Sequence, residues 1–220
     1  MESHTLKKYP KRLVLLDVHA ILHRAYHAIP DFTTSKGVPT GGLYGLSMML
    51  IKIIGELKPD YIAACYDLPE PTFRKKLYDA YKAGRKKADD ALIDQIIRSR
   101  EIFEAFNIPI YEKGGFEADD MIGTIAETAK KEKDLQVVIA SGDLDTTQLI
   151  EDDKVVVYTL HKGIKDTIIY DEKGIEERFG FGPRFMADYK GLRGDPSDNI
   201  IGIKGIGEKT KIKTLVSYSS

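Results

Sequence analysis

Three short apolar runs, residues 12–16, 61–66 and 136–140, each stop at or just before an aspartate. The first meets Asp17, the second Asp67, and the third the pair in Ser141-Gly142-Asp143-Leu144-Asp145. Runs this short, bounded by polar residues, read as strands. Between them, residues 43–57, 91–106 and 117–131 space their apolar side chains as helices do, with Pro59 and Pro109 punctuating the ends. Strands alternating with helices predict an α/β chain built on a mostly parallel sheet flanked by helices. Ligands bind such sheets at the carboxyl ends of the strands, which is where the aspartates fall.

Two further clusters add to them. Glu117-Ala118-Asp119-Asp120 opens a helical segment, and Asp195-Pro196-Ser197-Asp198 follows another at residues 183–192. Acids gathered this densely repel one another unless a cation neutralises them, and oxygen-only donors suggest Mg²⁺ or Mn²⁺. Metal-assisted phosphate chemistry is therefore the leading reading. Each cluster alone has a plainer one. Acids in a first helical turn complement the helix dipole for about 0.3–1 kcal/mol each. Asp143 and Asp145 suit a turn and an N-cap, and Asp195 suits a cap with Pro196 at the first helical position. On a helix, Glu117 and Asp120 share a face while Asp119 is turned about 100° from Asp120.

A formal net charge of −1 over 220 residues conceals a basic stretch from Arg74 to Arg100, so a polyanion can bridge the basic stretch and the acidic edge. Lys82 and Arg85 would lie one turn apart on a helix, able to face one phosphate, and Phe73, Tyr78 and Tyr81 offer rings for unpaired bases. Cys65 is the only cysteine, which excludes an internal disulfide; its apolar neighbours suggest a buried structural thiol. The first residues lack a signal-peptide core and no apolar run is long enough to span a membrane, so a reducing cytoplasm is expected.

Gly202-Ile203-Lys204-Gly205-Ile206-Gly207-Glu208-Lys209-Thr210 is glycine-rich but lacks the P-loop spacing. With residues 183–192 it suggests a helix-hairpin-helix element that grips a duplex by its backbone, with Lys204 and Lys209 at phosphates. His19, His23 and His27 recur every four residues, but His19 and His27 would lie about 12 Å apart on a helix, too far for one zinc ion.

Taken together, Leu22-His23-Arg24-Ala25-Tyr26-His27-Ala28, Pro71-Thr72-Phe73-Arg74, Tyr81-Lys82-Ala83-Gly84-Arg85, Gly115-Phe116-Glu117-Ala118-Asp119-Asp120, Ser141-Gly142-Asp143-Leu144-Asp145 and Gly194-Asp195-Pro196-Ser197-Asp198-Asn199 resemble the 5′-nuclease family. The likeness is to the 5′→3′ exonuclease domain of bacterial DNA polymerase I and to stand-alone flap endonucleases. It runs from about Arg12 to the end of the chain.

The resemblance implies a PIN-like nuclease domain at residues 12–182, after an extension at 1–11, with a helical arch at 72–100. A helix-hairpin-helix region at 183–220 would complete the chain. It implies a structure-specific 5′→3′ exonuclease or flap endonuclease of replication and repair, working with two or more Mg²⁺ or Mn²⁺ ions about 3.5–4 Å apart. One ion would sit among Asp17, Asp67, Glu117, Asp119 and Asp120, the second among Asp143, Asp145, Asp195 and Asp198, some acting through water. Lys82 and Arg85 would be catalytic, and Arg24, Lys36, Phe73, Arg74 and Tyr81 would meet DNA. Further implied are a monovalent cation such as K⁺ at the hairpin, 5′-flap, nicked or branched DNA and RNA–DNA primers as substrates, a DNA polymerase as partner, and a monomeric state.

Two departures stand out. Val18 replaces the small residue that usually follows the first aspartate, and the family's nuclease domain continues for several elements past the equivalent of Ser220. That shortfall keeps open a DNA-binding fragment with weakened catalysis. A PIN-type ribonuclease would need only the acidic core. A phosphatase with an aspartyl nucleophile would want a second acid two residues after Asp17, where His19 stands.

Overall fold

The structure, a computed structural model, describes residues 9–29, 32–162 and 166–205. Among them, β1 (Lys11–Asp17), β2 (Tyr61–Cys65), β3 (Ile110–Tyr111), β4 (Leu135–Ala140), β5 (Val155–Lys162) and β6 (Asp166–Tyr170) form one sheet in the order β3-β2-β1-β4-β5-β6. All neighbours pair in parallel except β5 and β6. Alternate residues of each strand serve opposite faces. Val14, Leu16, Val138 and Val156 pack against α1 (Val18–Ala28), α2 (Gly41–Leu57) and α4 (Asp90–Ala105). Leu15, Val137, Ile139 and Val157 pack against α5 (Ala118–Ala129), α6 (Glu172–Phe179) and α7 (Met186–Arg193). Burial on both faces is why the strands read as continuous apolar runs.

From β1 the chain first builds outward through β2 and β3, then returns to place β4 on the other side of β1. The switch point lies between β1 and β4, and the crevice beyond their carboxyl ends is the natural ligand site of this topology. Val18 does not crowd it. As the first residue of α1 it is buried in the core with Ile21 and Leu22.

Helix α2 has no side-chain cap of its own, since Thr40 makes none. Its cap comes from α4: fully buried Gln95 accepts the amides of Gly42 (2.8 Å) and Leu43 (3.2 Å) through Oε1. Gln95→Leu would leave two buried donors unmet, and is expected to destabilise the fold by about 1–3 kcal/mol. An unchanged urea midpoint would contradict that role.

Two local expectations are corrected. Within the 72–100 segment only the ends are helical, as α3 (Phe73–Leu77) and the start of α4. Between them the chain makes successive turns, and Lys82 takes φ +55°, outside any right-handed helix. The turn is held instead by contacts to residues 195–199. The Lys82 amide donates to Asp198 O (3.0 Å), Asn199 Nδ2 to Ala80 O (2.9 Å) and Tyr78 Oη to Asn199 O (3.2 Å).

Nor does Pro196 begin a helix. β7 (Gly194–Asp195) and β8 (Ile200–Ile201) form a hairpin around residues 196–199. Asp195 accepts from the Ser197 amide (2.9 Å) and hydroxyl (2.6 Å), a local turn that competes with a helix start. The segment at 183–192 is a 3₁₀ turn, Pro183–Phe185, followed by α7. Residues 206–220, which would complete the helix-hairpin-helix element and include Lys209, lie outside the described residues.

Candidate metal and phosphate site

A cleft of about 580 Å³ opens over the carboxyl edge of the sheet, and eight of the nine acids line it. Asp17 ends β1 and caps α1, accepting the Ala20 amide (3.1 Å) and the Ser141 hydroxyl (2.6 Å). Burial pushes its carboxyl up to about 6, with Asp67 and Asp143 adding repulsion. Asp67 follows β2; its Oδ1 accepts the Ala118 amide at the start of α5 (2.8 Å), and its own amide donates to His19 Nδ1 (3.2 Å). Asp119 sits one residue into α5. Burial, then Asp17, Asp143, Asp67 and Asp145, push it up to about 8. Among the described residues no hydrogen-bond donor or cation pairs with it.

The other face of α5's first turn is already neutralised. Glu117 and Asp120 form a capping box, the Glu117 amide donating to Asp120 Oδ2 (2.9 Å). Arg74 grips both Asp120 oxygens (2.7 and 2.8 Å), and although burial opposes ionisation, that fork holds the carboxyl below its ordinary range. Glu117 takes Lys82 Nζ (3.0 Å), Tyr81 Oη (3.1 Å) and Thr72 Oγ1 (3.3 Å). Asp120 does not line the cleft. Asp119 thus lies within electrostatic reach of Asp17, Asp143, Asp67 and Asp145, while Asp120 is turned onto Arg74.

Asp143 caps the 3₁₀ segment Leu144–Leu149, accepting the Asp145 amide (2.9 Å). Lys190 of α7 bridges Asp145 and Asp195, contacting Asp145 Oδ1 and lying 2.8 Å from Asp195 Oδ2. Burial nonetheless leaves Asp145 raised; Asp195, despite its own burial, is held low by Lys190 and Ser197. Asp198 binds Arg85 (2.6 Å). Lys82 and Arg85 therefore do reach the cleft, through a turn rather than along a helix.

This donor set fits divalent cations. Its carboxylates carry more charge than Lys75, Lys82, Arg85 and Lys190 offset, an ammonium already lies between Asp145 and Asp195, and the rings of His19 and His23 share the lining. As the side chains stand, no three described His, Cys, Asp or Glu residues converge closely enough to clasp an ion, so binding requires rotamer adjustment. The raised carboxyls have a measurable consequence. Asp17 and Asp119 keep protons in the folded chain that the unfolded chain releases near 3.8. The contribution of these two carboxyls to the stability of the protein in EDTA is thus expected to fall as pH rises from about 4 to about 8, then level off, with the lowered His19 and His23 opposing it up to about 6.5. Divalent ions bind the ionised form, so Mg²⁺ should raise Tm more at about pH 8.5 than at about pH 5. Equal shifts in thermal melts at the two pH values would rule this out.

The remaining expected residues are more scattered. Tyr81 lines the cleft but is largely covered, with its hydroxyl on Glu117 and Lys82 over its ring (4.9 Å). Phe73 is partly exposed beside Phe116 (ring centroids 5.7 Å), with Arg74 over its ring. Arg24 lies on α1 near Gly142, and Lys36 on an exposed turn stabilised by Thr34; neither lines the cleft. Lys204 is exposed. His23 lines the cleft, whereas His27 does not. Cys65 is buried and its thiol is pushed up to about 12, which suits an inert core residue. Sequence reasoning missed Lys190 and Ser141. Lys190 precedes Asp195 by five residues, a spacing with no motif of its own, and a serine after a strand carries no signal that its hydroxyl will meet Asp17.

Residues 12–180 match the family described as 5′–3′ exonuclease, N-terminal resolvase-like domain. The chain is 43% identical over 212 residues to DNA polymerase I of Caldicellulosiruptor bescii, covering 95% of this chain and 25% of that protein. It is 41% identical over 210 residues to DNA polymerase I of Bacillus subtilis, covering 96% and 24%. The chain thus spans about a quarter of the length of these curated relatives. Among solved structures, a bacteriophage T5 flap endonuclease in a pseudo-enzyme–product complex with DNA and metal ions matches with TM-score 0.73 and 20% identity. That match covers 96% of this chain and 76% of the other, and supports the fold.

Proposed function

The chain belongs to the 5′–3′ exonuclease family, and from that premise we propose that it is a structure-specific 5′ nuclease, hydrolysing DNA phosphodiesters where a single strand meets a duplex. The observation that carries this reading is Asp119, a carboxylate surrounded by four others at the sheet's switch point, with no cation of its own among the described residues. Asp17, Asp67, Asp119, Asp143 and Asp145 hold the metal ions, with Asp195 and Asp198 at the rim. The ions are Mg²⁺ or Mn²⁺, and when bound they supply a more acidic attacking water and charge stabilisation at the leaving oxygen.

The chain's own cations do the rest. Lys82 and Arg85 stand on the arch side of the cleft, where they meet the scissile phosphate and offset charge that grows during attack. Lys82 Nζ lies on Glu117 and Arg85 on Asp198. Arg74 stays on Asp120 and fixes the first turn of α5, which sets the direction of Asp119. The products are a 5′-phosphate and a 3′-hydroxyl. Substrates are DNA with a 5′ flap or nick, RNA–DNA primers among them.

The test is cleavage of a 5′-flap DNA with Mg²⁺ and with EDTA, beside single-stranded DNA and an RNA hairpin. Metal-dependent cutting near the junction is expected. Tight flap binding without cutting would make the chain a binding module, and preferential cutting of the RNA would make it a PIN-type ribonuclease.

A further inference from the structure

His19 stands two residues after Asp17, in the first turn of α1, and lines the cleft. Its ring is held on one side by Tyr66, edge to face at a centroid distance of 5.6 Å. Tyr66 is itself fixed: its hydroxyl shares a 2.6 Å hydrogen bond with buried Ser99, and Arg100 covers its ring at 4.5 Å. On the other side, His19 Nδ1 receives the Asp67 amide at 3.2 Å. An imidazole nitrogen that accepts a hydrogen bond carries no proton, so the proton of this neutral ring is on Nε2. A protonated Nδ1 would set one N–H against another.

Asp67 is consequently fixed at two points. Its amide is on His19 Nδ1, its Oδ1 on the Ala118 amide (2.8 Å), and its Oδ2 lies beside the same Nδ1 at 3.4 Å, beyond hydrogen-bond length, at the edge of the cleft. Nε2 of His19 has no partner among the described residues. We propose that His19 is a positioning residue for Asp67 and also presents Nε2–H to the cleft as a neutral donor to a substrate phosphate oxygen. The chemistry suits the place. A neutral donor binds a phosphate oxygen without competing with metal ions for the carboxylates, as a lysine would. Side chains that orient a ligand residue in this way affect metal affinity by about 10–100-fold. The proposal rests on the nuclease reading for its second half alone.

Two substitutions separate the two roles. In His19→Asn the side-chain carbonyl can replace Nδ1 as acceptor for the Asp67 amide, but nothing reaches as far as Nε2. His19→Ala removes both. Mn²⁺ binding to the free full chain is measured by electron paramagnetic resonance, and flap cleavage by steady-state kinetics. His19→Ala is expected to weaken Mn²⁺ binding about 10-fold and to lower kcat about 100-fold. His19→Asn is expected to regain Mn²⁺ affinity to within about 3-fold of the original while kcat stays down about 10-fold, with KM little changed. Native Mn²⁺ affinity in the alanine variant, or no recovery in the asparagine variant, would overturn the positioning role; full kcat in His19→Asn would overturn the donor role. Should the unaltered chain fail to cut flaps, the nuclease reading falls, and the Mn²⁺ measurements still decide the hold on Asp67.

Discussion

Asp119→Asn is expected to lower flap cleavage by about 10³-fold or more while making the metal-free protein more resistant to heat. The two effects share one cause. Asp119 is pushed up to about 8 by burial and by four neighbouring carboxylates, so its charge is a liability to the fold until a cation arrives. Asparagine keeps the shape and removes the charge. The relief is fully felt above about pH 8, where the folded carboxyl would be ionised, and vanishes below about pH 4, where both folded and unfolded forms are protonated. Relief of about 1–2 kcal/mol would raise Tm in EDTA by about 2–8 °C for a chain of this size.

Asp120→Asn should do the opposite to stability, because it breaks the fork with Arg74 and weakens the capping box with Glu117. Two adjacent aspartates thus give opposite signs in the same melt. Thermal melts in EDTA at about pH 8.5, with single-turnover cleavage in Mg²⁺, check both variants. Full cleavage by Asp119→Asn, or a lower Tm in EDTA, would remove Asp119 from the centre of the site.

That division between neighbours shows how far sequence reasoning reaches. Strand runs that stop at Asp17, Asp67 and Asp143 placed the acids at one edge, because a strand buried on both faces must end where charge begins. Helical spacing separated Asp119 from Asp120 by direction. It could not show that Arg74, far away along the chain, would take the Asp120 side, because that pairing depends on how α3 docks against α5.

The same limit explains the arch and the cap. Lys82 and Arg85 looked helical by spacing, yet the turn that carries them and Tyr78 is set by hydrogen bonds to residues 197–199, more than a hundred positions later. Asp195-Pro196-Ser197-Asp198 carries a good helix-start signal. It forms a hairpin turn because Gly194 and Gly202 let two backbones meet beneath it. Gln95 gave no signal at all, since a buried glutamine capping another helix has no local pattern.

The hairpin supplies the second large effect. A Cβ at Gly202 would lie 2.2 Å from both C and O of Arg193 and 2.4 Å from the Gly194 amide nitrogen, all backbone atoms with nowhere to move. Gly194 has φ +81° and its own Cβ would fall 2.4 Å from the Gly202 nitrogen. Gly202→Ala must therefore open the pairing of β7 with β8, at an expected cost of about 2–4 kcal/mol. The displacement is carried into the cleft, because the hairpin holds Asp195 against Lys190 and Asp198 against Arg85. Cleavage should fall about 10–100-fold, mainly in kcat, since misplacing the groups that meet the phosphate affects the reacting state most. Gly191 provides the control. It lies within α7, a Cβ there meets nothing within 4 Å, and Gly191→Ala should be neutral or stabilising by up to about 1 kcal/mol. Urea unfolding of the two variants, with flap cleavage alongside, decides the matter: equal stability would mean that the hairpin can shift at no cost, and it could not then be what fixes Asp195 and Asp198 over the cleft.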